Sequence, residues 1–216
     1  MNDNVLDVVY VHGLWLTGAE SVFLRRRLER EHGFRLHAFR YPTVRSSMRD
    51  ITERLHAFVQ DLQPRNLHFI GHSLGGLVIY RYLERFPERW MEQERGRVVF
   101  LGTPSVTSRA AVSAARRAWI ARLIGKCVAE ELLIERQRKW TFPTELGIIA
   151  GTRRMGLGQF FAGFDEECDG TIAVSETRMP GAADHVSMPV SHMGMLMDDR
   201  VARAAGAFLR RGKFAE

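Results

Sequence analysis

The chain has 216 residues, of which 45% are hydrophobic and 26% are charged. These proportions exclude an intrinsically disordered chain and are typical of a globular protein with a buried core. The 31 basic and 25 acidic residues give a formal net charge of +6, so nucleic acid and anionic surfaces stay under consideration as partners. The length, without a visible linker or internal repeat, favours a single domain over residues 1–216.

The amino terminus and the cysteines together indicate where the protein works. The first residues lack the basic and apolar regions of a secretory signal. Two cysteines are too few for a disulfide framework, which suits a reducing compartment. No apolar stretch approaches the roughly 20 residues that a membrane span needs. We therefore expect a cytoplasmic protein.

Short apolar runs alternate with longer segments of helical periodicity along the chain. The first run, residues 6–11, is rich in β-branched residues and predicts a strand. In chain order, the further predicted strands are 35–41, 66–70, 98–101, 146–150 and 186–190, and the predicted helices are 20–31, 46–62, 73–86 and 201–211. This alternation indicates an α/β fold with a mostly parallel six-stranded sheet and helices on both faces. Residues 105–145 predict a helical, cap-like insert, and residues 152–184 are irregular and rich in glycine.

The segment 71–75, Gly-His-Ser-Leu-Gly, has the G-x-S-x-G pattern of a nucleophile elbow. A predicted strand precedes it and a predicted helix follows it, which is the context that such an elbow requires. Glycine at the first and last positions leaves room for a tight turn, and the helix N-terminus favours negative charge beside Ser73. The pattern predicts Ser73 as a nucleophile. The alternative is a glycine-rich turn without chemistry.

A serine nucleophile needs a base and an orienting acid, and in this arrangement the acid and then the histidine follow the serine along the chain. Only His185 and His192 follow the motif. His192 comes just after the sixth predicted strand, whereas His185 lies at the beginning of that strand and so at the opposite edge of the sheet. We predict His192 as the base. Asp169, presented by a glycine turn, is the predicted acid, and Asp165 is the alternative.

Acyl transfer also needs two backbone N–H donors that face the developing oxyanion. Leu74 directly follows the nucleophile, and Leu14 follows the first strand in the sequence His-Gly-Leu. These two residues are the predicted donors. For His12 we favour a buried role in holding this loop over a catalytic one. The chemistry requires no cofactor and no metal, and the acidic residues around Asp169 lack the spacing of a calcium-binding loop.

The motifs resemble those of the α/β-hydrolase family, and in particular its small bacterial lipases and esterases that begin directly at the His-Gly strand. The matching segments are 12–14, 71–76, 101–104, 169–170 and 191–194, and the resemblance covers nearly all of the chain. It implies a six-stranded parallel sheet and hydrolysis of carboxylic esters through an acyl-enzyme. Similar lipases usually continue the Leu-Gly-Thr-Pro segment with a histidine, where this chain has Ser105.

Apolar and basic residues are interleaved between positions 106 and 140. The segment is either a cap that lines an acyl pocket and meets anionic head groups, or an amphipathic helix that packs on the sheet with a solvated basic face. Trp15 is expected as a wall of the pocket or as a core residue. Phe160 and Phe161 either line the acyl site or anchor the loop before Asp169.

The predicted partner is a small ester or acyl substrate, with transient contact to a membrane surface or an acyl carrier. We expect no nucleic-acid partner, because no nucleic-acid-binding motif accompanies the positive charge. A thioesterase or acyltransferase uses the same triad and is the alternative within the enzyme class. A non-catalytic acyl-binding protein is the alternative from another class.

Overall fold

Six parallel strands form the central sheet in the described part of the chain. They are β1 Leu6–Val11, β2 Phe34–Phe39, β3 Leu67–His72, β4 Val98–Leu101, β5 Leu146–Gly151 and β6 Asp184–Met188. Their order is β2-β1-β3-β4-β5-β6, and every adjacent pair is parallel. The predicted α/β fold with a six-stranded sheet is therefore confirmed. The structure, a computed structural model, describes residues 6–64, 66–88, 96–106, 127, 131, 137–155 and 166–214.

Helices cover both faces of this sheet. The α-helices whose ends fall within the described ranges are α1 Val22–His32, α2 Met48–Leu62, α3 Leu74–Arg85, the short α4 Val174–Thr177 and α5 Asp199–Arg211. Alternate strand residues point to opposite faces. Val9 and Val11 pack with α2 and α3, whereas Val8 and Tyr10 pack with α1 and α5. The inner strands β1, β3, β4 and β5 are buried on both faces and mostly apolar, whereas the edge strands β2 and β6 carry exposed residues such as Arg35 and Ser187.

Several predicted boundaries are wrong, for local reasons. β2 ends at Phe39 rather than at position 41. β6 ends at Met188, which is opposite the last residue of β5, and the N–H of Val190 turns back to the Met188 carbonyl at 2.7 Å. The stretch 152–184 contains α4, whose four residues are too few to show helical periodicity. Helix α2 begins after Ser47, which forms a capping box with Asp50.

The carboxyl ends of β1, β3 and β4 lie level at one edge of the sheet. Val11 is opposite Gly71, and His72 is opposite Leu101. The three loops that follow these strands therefore leave the sheet side by side. In open parallel sheets this edge is where ligands bind.

Most of the predicted insert 105–145 lies outside the described residues, so its helical character stays a prediction. Within the described ranges, no helix is both long enough and apolar enough to cross a lipid bilayer.

Candidate active site

Ser73 lies at the tight turn between β3 and α3. Its φ of +54° and ψ of −122° are unusual for a residue with a side chain, and such strain is found mainly at functional sites. Three hydrogen bonds hold the turn. The Ser73 N–H donates to the Leu101 carbonyl at 2.9 Å, and the Ser73 carbonyl accepts from Thr103 Oγ1 at 2.9 Å and from the Gly76 N–H at 3.1 Å.

The glycines of the motif permit close contacts between backbones. A Cβ at Gly71 would overlap the backbone of Gly76, and a Cβ at Gly75 would overlap the carbonyl oxygen of Val11. Helix α3 can therefore begin directly against β1 only because these side chains are absent. The local pattern is thus a packing requirement of the strand-to-helix turn.

His192 and Asp169 form a buried pair at the same edge of the sheet. His192 Nδ1 and Asp169 Oδ2 are 2.6 Å apart, and the two residues are 7% and 1% exposed. Because a carboxylate only accepts, this contact places the imidazole proton on Nδ1 and leaves Nε2 free to take a proton. The backbone adds a second link, since the His192 N–H donates to the Asp169 carbonyl at 2.9 Å.

A tight backbone hook presents Asp169. Its Oδ1 accepts hydrogen bonds from the N–H groups of Thr171 at 2.8 Å and Ile172 at 2.7 Å. Cys168 and Ala173 close the hook through an antiparallel bridge. Both carboxylate oxygens are therefore engaged, one by the backbone and one by the imidazole, which fixes the carboxylate in orientation.

The elbow and the histidine loop meet at Gly102, directly after β4. A Cβ at Gly102 would lie 2.9 Å from Asp169 Oδ2 and 3.1 Å from His192 Nδ1, while the preceding Leu101 carbonyl binds the Ser73 N–H. Within the described residues the Ser73 hydroxyl forms no hydrogen bond. Without substrate, the hydrogen bond between serine and base is often long or poorly aligned, and it tightens when substrate binds.

The two predicted oxyanion donors are Leu14, in the loop after β1, and Leu74, which directly follows Ser73. Leu74 is the first residue of α3, where backbone N–H groups have no partner within the helix. The loop that carries Leu14 is close to the elbow, since a Cβ at Gly13 would lie 3.1 Å from Ser73 Cβ. In the described part of the chain, neither the Leu14 nor the Leu74 N–H has a hydrogen-bond acceptor.

His12 is fully buried beneath the same loop. Its Nδ1 donates to the Gly13 carbonyl at 3.0 Å, and its Nε2 accepts from the Tyr41 N–H at 3.3 Å. Burial lowers the pKa of His12, so the ring is neutral and holds both contacts at once. This geometry favours the loop-holding role over a catalytic one.

Sequence reasoning assigned no role to His72. Its ring is fully buried, and Nε2 donates to the backbone carbonyl of His192 at 3.0 Å. The ring centroids of His72 and His192 are 4.8 Å apart. Burial, and to a smaller extent the neighbouring His192, lower the pKa of His72 to about 3, so the ring stays neutral. No sequence signal indicated this role, because the predicted strand ended at residue 70 and left His72 in the elbow, whereas β3 extends to His72.

The remaining predicted residues have mixed outcomes. Trp15 is 55% exposed, so the core position is wrong, and its role as a wall of the pocket stays a prediction. Phe160, Phe161 and the alternative acid Asp165 lie outside the described residues. Ser105 is buried, and its hydroxyl donates to the carbonyls of Glu176 at 3.0 Å and Arg178 at 2.5 Å. Among the described residues, no group of three or more His, Cys, Asp or Glu side chains is placed to hold a metal ion.

Solved structures with similar backbones include several hydrolases. The mature lipase BlEst2 of Bacillus licheniformis has a TM-score of 0.68 at 18% identity, covering 99% of this chain and 94% of that one. The phospholipase PlaB of Legionella pneumophila has 0.69 at 16%, covering 93% and 56%. The carboxylesterase CesB of Bacillus subtilis has 0.60 at 15%, covering 98% and 86%. At these identities the likeness concerns the fold alone.

A search of curated protein sequences found no significant match. The model of one protein family, described as the alpha/beta hydrolase family, matches residues 8–211. That match includes β1 from its third residue, the other five strands in full, the elbow and the loop of His192. The chain therefore belongs to the alpha/beta hydrolase family.

Proposed function

We propose that this protein is a serine hydrolase that cleaves carboxylic esters through an acyl-enzyme. The observation that carries the proposal is the strained Ser73 beside the buried pair of His192 and Asp169, all at the carboxyl edge of one parallel sheet. A nucleophile, a base and an orienting acid at one edge are what acyl transfer requires. Proteins named as lipase, phospholipase, carboxylesterase and thioesterase share this fold.

In the proposed acylation, Ser73 Oγ attacks the acyl carbon while His192 Nε2 takes its proton. The carbonyl oxygen becomes an oxyanion, which the N–H groups of Leu14 and Leu74 bind, at about 3–4 kcal/mol per donor in comparable sites. Asp169 holds the imidazole in the correct tautomer and stabilises the imidazolium. The ester C–O bond then breaks, and the leaving oxygen takes the proton from His192.

Deacylation repeats these steps with water as the nucleophile. His192 takes a proton from water as the water oxygen attacks the acyl carbon, and the same two N–H groups bind the second oxyanion. When the bond to Ser73 Oγ breaks, the proton returns to that oxygen and the carboxylic acid leaves. The free enzyme is restored without any further reactant.

Substrate binding is proposed for Trp15, Phe160 and Phe161. Trp15 directly follows the proposed donor Leu14 and exposes more than half of its surface, which suits a side chain that contacts an acyl or alcohol group. The insert 105–145 is proposed as the cap over the acyl chain. These are the groups whose replacement should change the preferred chain length rather than abolish turnover.

The test is turnover of p-nitrophenyl esters of increasing acyl length by the wild type, Ser73→Ala and Ser187→Ala. Ser187 is an exposed serine on β6 and serves as the matched control. Ser73→Ala should abolish turnover and labelling by a fluorophosphonate, with unchanged thermal unfolding. Ser187→Ala should retain both. Turnover that survives in Ser73→Ala contradicts the proposal, and a wild type that is neither active nor labelled favours a non-catalytic acyl-binding protein.

The same assay separates an esterase from a thioesterase or an acyltransferase, which use the same residues. Acyl-CoA substrates are compared with p-nitrophenyl esters of equal acyl length. Higher kcat/KM for the ester supports the proposal. A clear preference for acyl-CoA would identify a thioesterase, and acyl transfer to an added alcohol in preference to water would identify an acyltransferase.

A further inference from the structure

The segment after β2 contacts the loop of Leu14 from both sides. Ahead of Leu14, the Tyr41 hydroxyl donates to the His12 carbonyl at 2.7 Å, and the side-chain rings of Tyr41 and His12 stack with their centroids 4.3 Å apart. Behind Leu14, the Trp15 N–H donates to Thr43 Oγ1 at 3.2 Å. The residue proposed as an oxyanion donor is therefore held between two anchored neighbours.

The anchor behind Leu14 acts on a strained residue. Trp15 has a φ of +61°, a left-handed conformation that a bulky side chain rarely adopts. Such a conformation persists only where the surroundings hold it. Because the peptide groups on the two sides of Leu14 share its Cα, the orientation of the Trp15 N–H constrains the direction of the Leu14 N–H. Two hydrogen bonds constrain this orientation: the one from the Trp15 N–H to Thr43, and the one from the Leu16 N–H to the Gly13 carbonyl at 3.3 Å, which closes a turn over Leu14 and Trp15.

Thr43 is well placed to act as a rigid acceptor. It is only 6% exposed, and its carbonyl accepts a hydrogen bond from Cys127 Sγ at 2.9 Å. Pro42 precedes it, and a proline ring restricts the backbone φ and so limits the movement of Thr43 relative to Tyr41. Cys127 belongs to the insert, so the insert, the β2 loop and the oxyanion loop are joined through one threonine.

We propose that Thr43 is a positioning residue for oxyanion stabilisation, acting through the Trp15 N–H on the direction of the Leu14 N–H. Tyr41 acts on the other side of the same loop through His12. This inference rests on the proposed function, since it concerns the donor that the hydrolysis would use. A donor that is displaced, rather than removed, weakens binding of the transition state more than binding of the substrate.

The experiment compares Thr43→Val, Thr43→Ser and the control Thr52→Val. Valine keeps the shape of threonine but removes the acceptor, and serine restores it. Thr52 is a buried threonine of α2 whose hydroxyl donates to the Arg49 carbonyl at 2.8 Å, a hydrogen bond within the helix that does not involve the loop of Leu14. Each variant is assayed for kcat, KM, thermal unfolding and inhibition by a trifluoromethyl ketone. Such a ketone forms a tetrahedral adduct with the serine hydroxyl, and the adduct carries an oxyanion.

Thr43→Val should lower kcat about tenfold or more at unchanged KM, with an equal loss of affinity for the ketone. Thr43→Ser should recover most of kcat, and Thr52→Val should lower thermal stability without changing kcat. If Thr43→Val does not fold, Tyr41→Phe keeps the ring stack, removes one hydrogen bond and should show the same signature. Unchanged kcat, a loss confined to KM, or an equal loss in Thr52→Val would overturn the proposal.

The two proposals fail in different ways. A wild type that is inactive and not labelled by fluorophosphonate removes the proposed function and this inference together. An active wild type whose kcat and ketone affinity do not respond to Thr43→Val or Tyr41→Phe removes the inference alone. An active wild type with the expected split between kcat and KM supports both.

Discussion

The buried His72 makes the stability of this protein sensitive to mild acid. In the folded state its pKa is about 3, against 6.5 for the unperturbed group. Below pH 6.5 the unfolded chain therefore takes up a proton that the folded chain excludes, and stability is lost as the pH falls toward 3. Each pH unit in this window costs about 1.4 kcal/mol, so the step from pH 6.5 to pH 5 costs about 2 kcal/mol from this one residue.

The variant His72→Gln isolates this contribution. The glutamine amide can donate to the His192 carbonyl as Nε2 of the histidine does at 3.0 Å, but it takes up no proton. Its free energy of unfolding should fall less than that of the wild type between pH 7 and pH 5, by about 2 kcal/mol. Other buried histidines, including His68, whose pKa burial lowers to about 4, are present in both proteins and cancel in the difference.

Urea unfolding of both proteins at pH 7, 6 and 5 measures this difference, and His72→Leu serves as a second comparison. Leucine also removes the titration but offers no donor to the His192 carbonyl. It should therefore show the same shallow pH dependence as glutamine, with a lower kcat. Parallel stability curves for the wild type and His72→Gln would refute the neutral, buried ring, and equal kcat for glutamine and leucine would show that the hydrogen bond to His192 does not matter.

Three further substitutions test the site and its scaffold. Asp169→Asn should lower kcat by about 10⁴-fold, as for the equivalent change in a serine protease, and a kcat within tenfold of the wild type would contradict its role as the acid. Gly75→Ala places a Cβ on the Val11 carbonyl oxygen and should cost more than about 4 kcal/mol, which a near-native melting temperature would disprove. Glu131→Gln leaves the buried Arg138 without its 2.7 Å carboxylate partner and should lower the free energy of unfolding in urea by about 3–5 kcal/mol. A loss under about 1 kcal/mol would show that the variant does not leave Arg138 as an unpaired buried charge.

The sheet could be predicted from sequence because its signal is local. A strand buried on both faces is an apolar run, and each of the six runs predicted as strands overlaps a strand of the sheet. The ends of strands were predicted less well. Val190 continues the apolar pattern of β6, yet the regular ladder stops at Met188 because the Val190 N–H turns back to the Met188 carbonyl at 2.7 Å. A strand end therefore depends on local backbone turns that the apolar pattern does not show.

Chain order and local motif by themselves determined that Ser73 lies at a strand-to-helix turn and that only His185 and His192 follow it. The tertiary structure decided that Asp169, rather than another described carboxylate, contacts His192, that Trp15 is exposed, and that His72 and Thr43 hold the loops of the site. The hydrogen bonds responsible join residues 28 positions apart in the case of Trp15 and Thr43, and 120 apart in the case of His72 and His192. Contacts of this kind arise only when the sheet brings the ends of separate strands together, so no local pattern of residues encodes them.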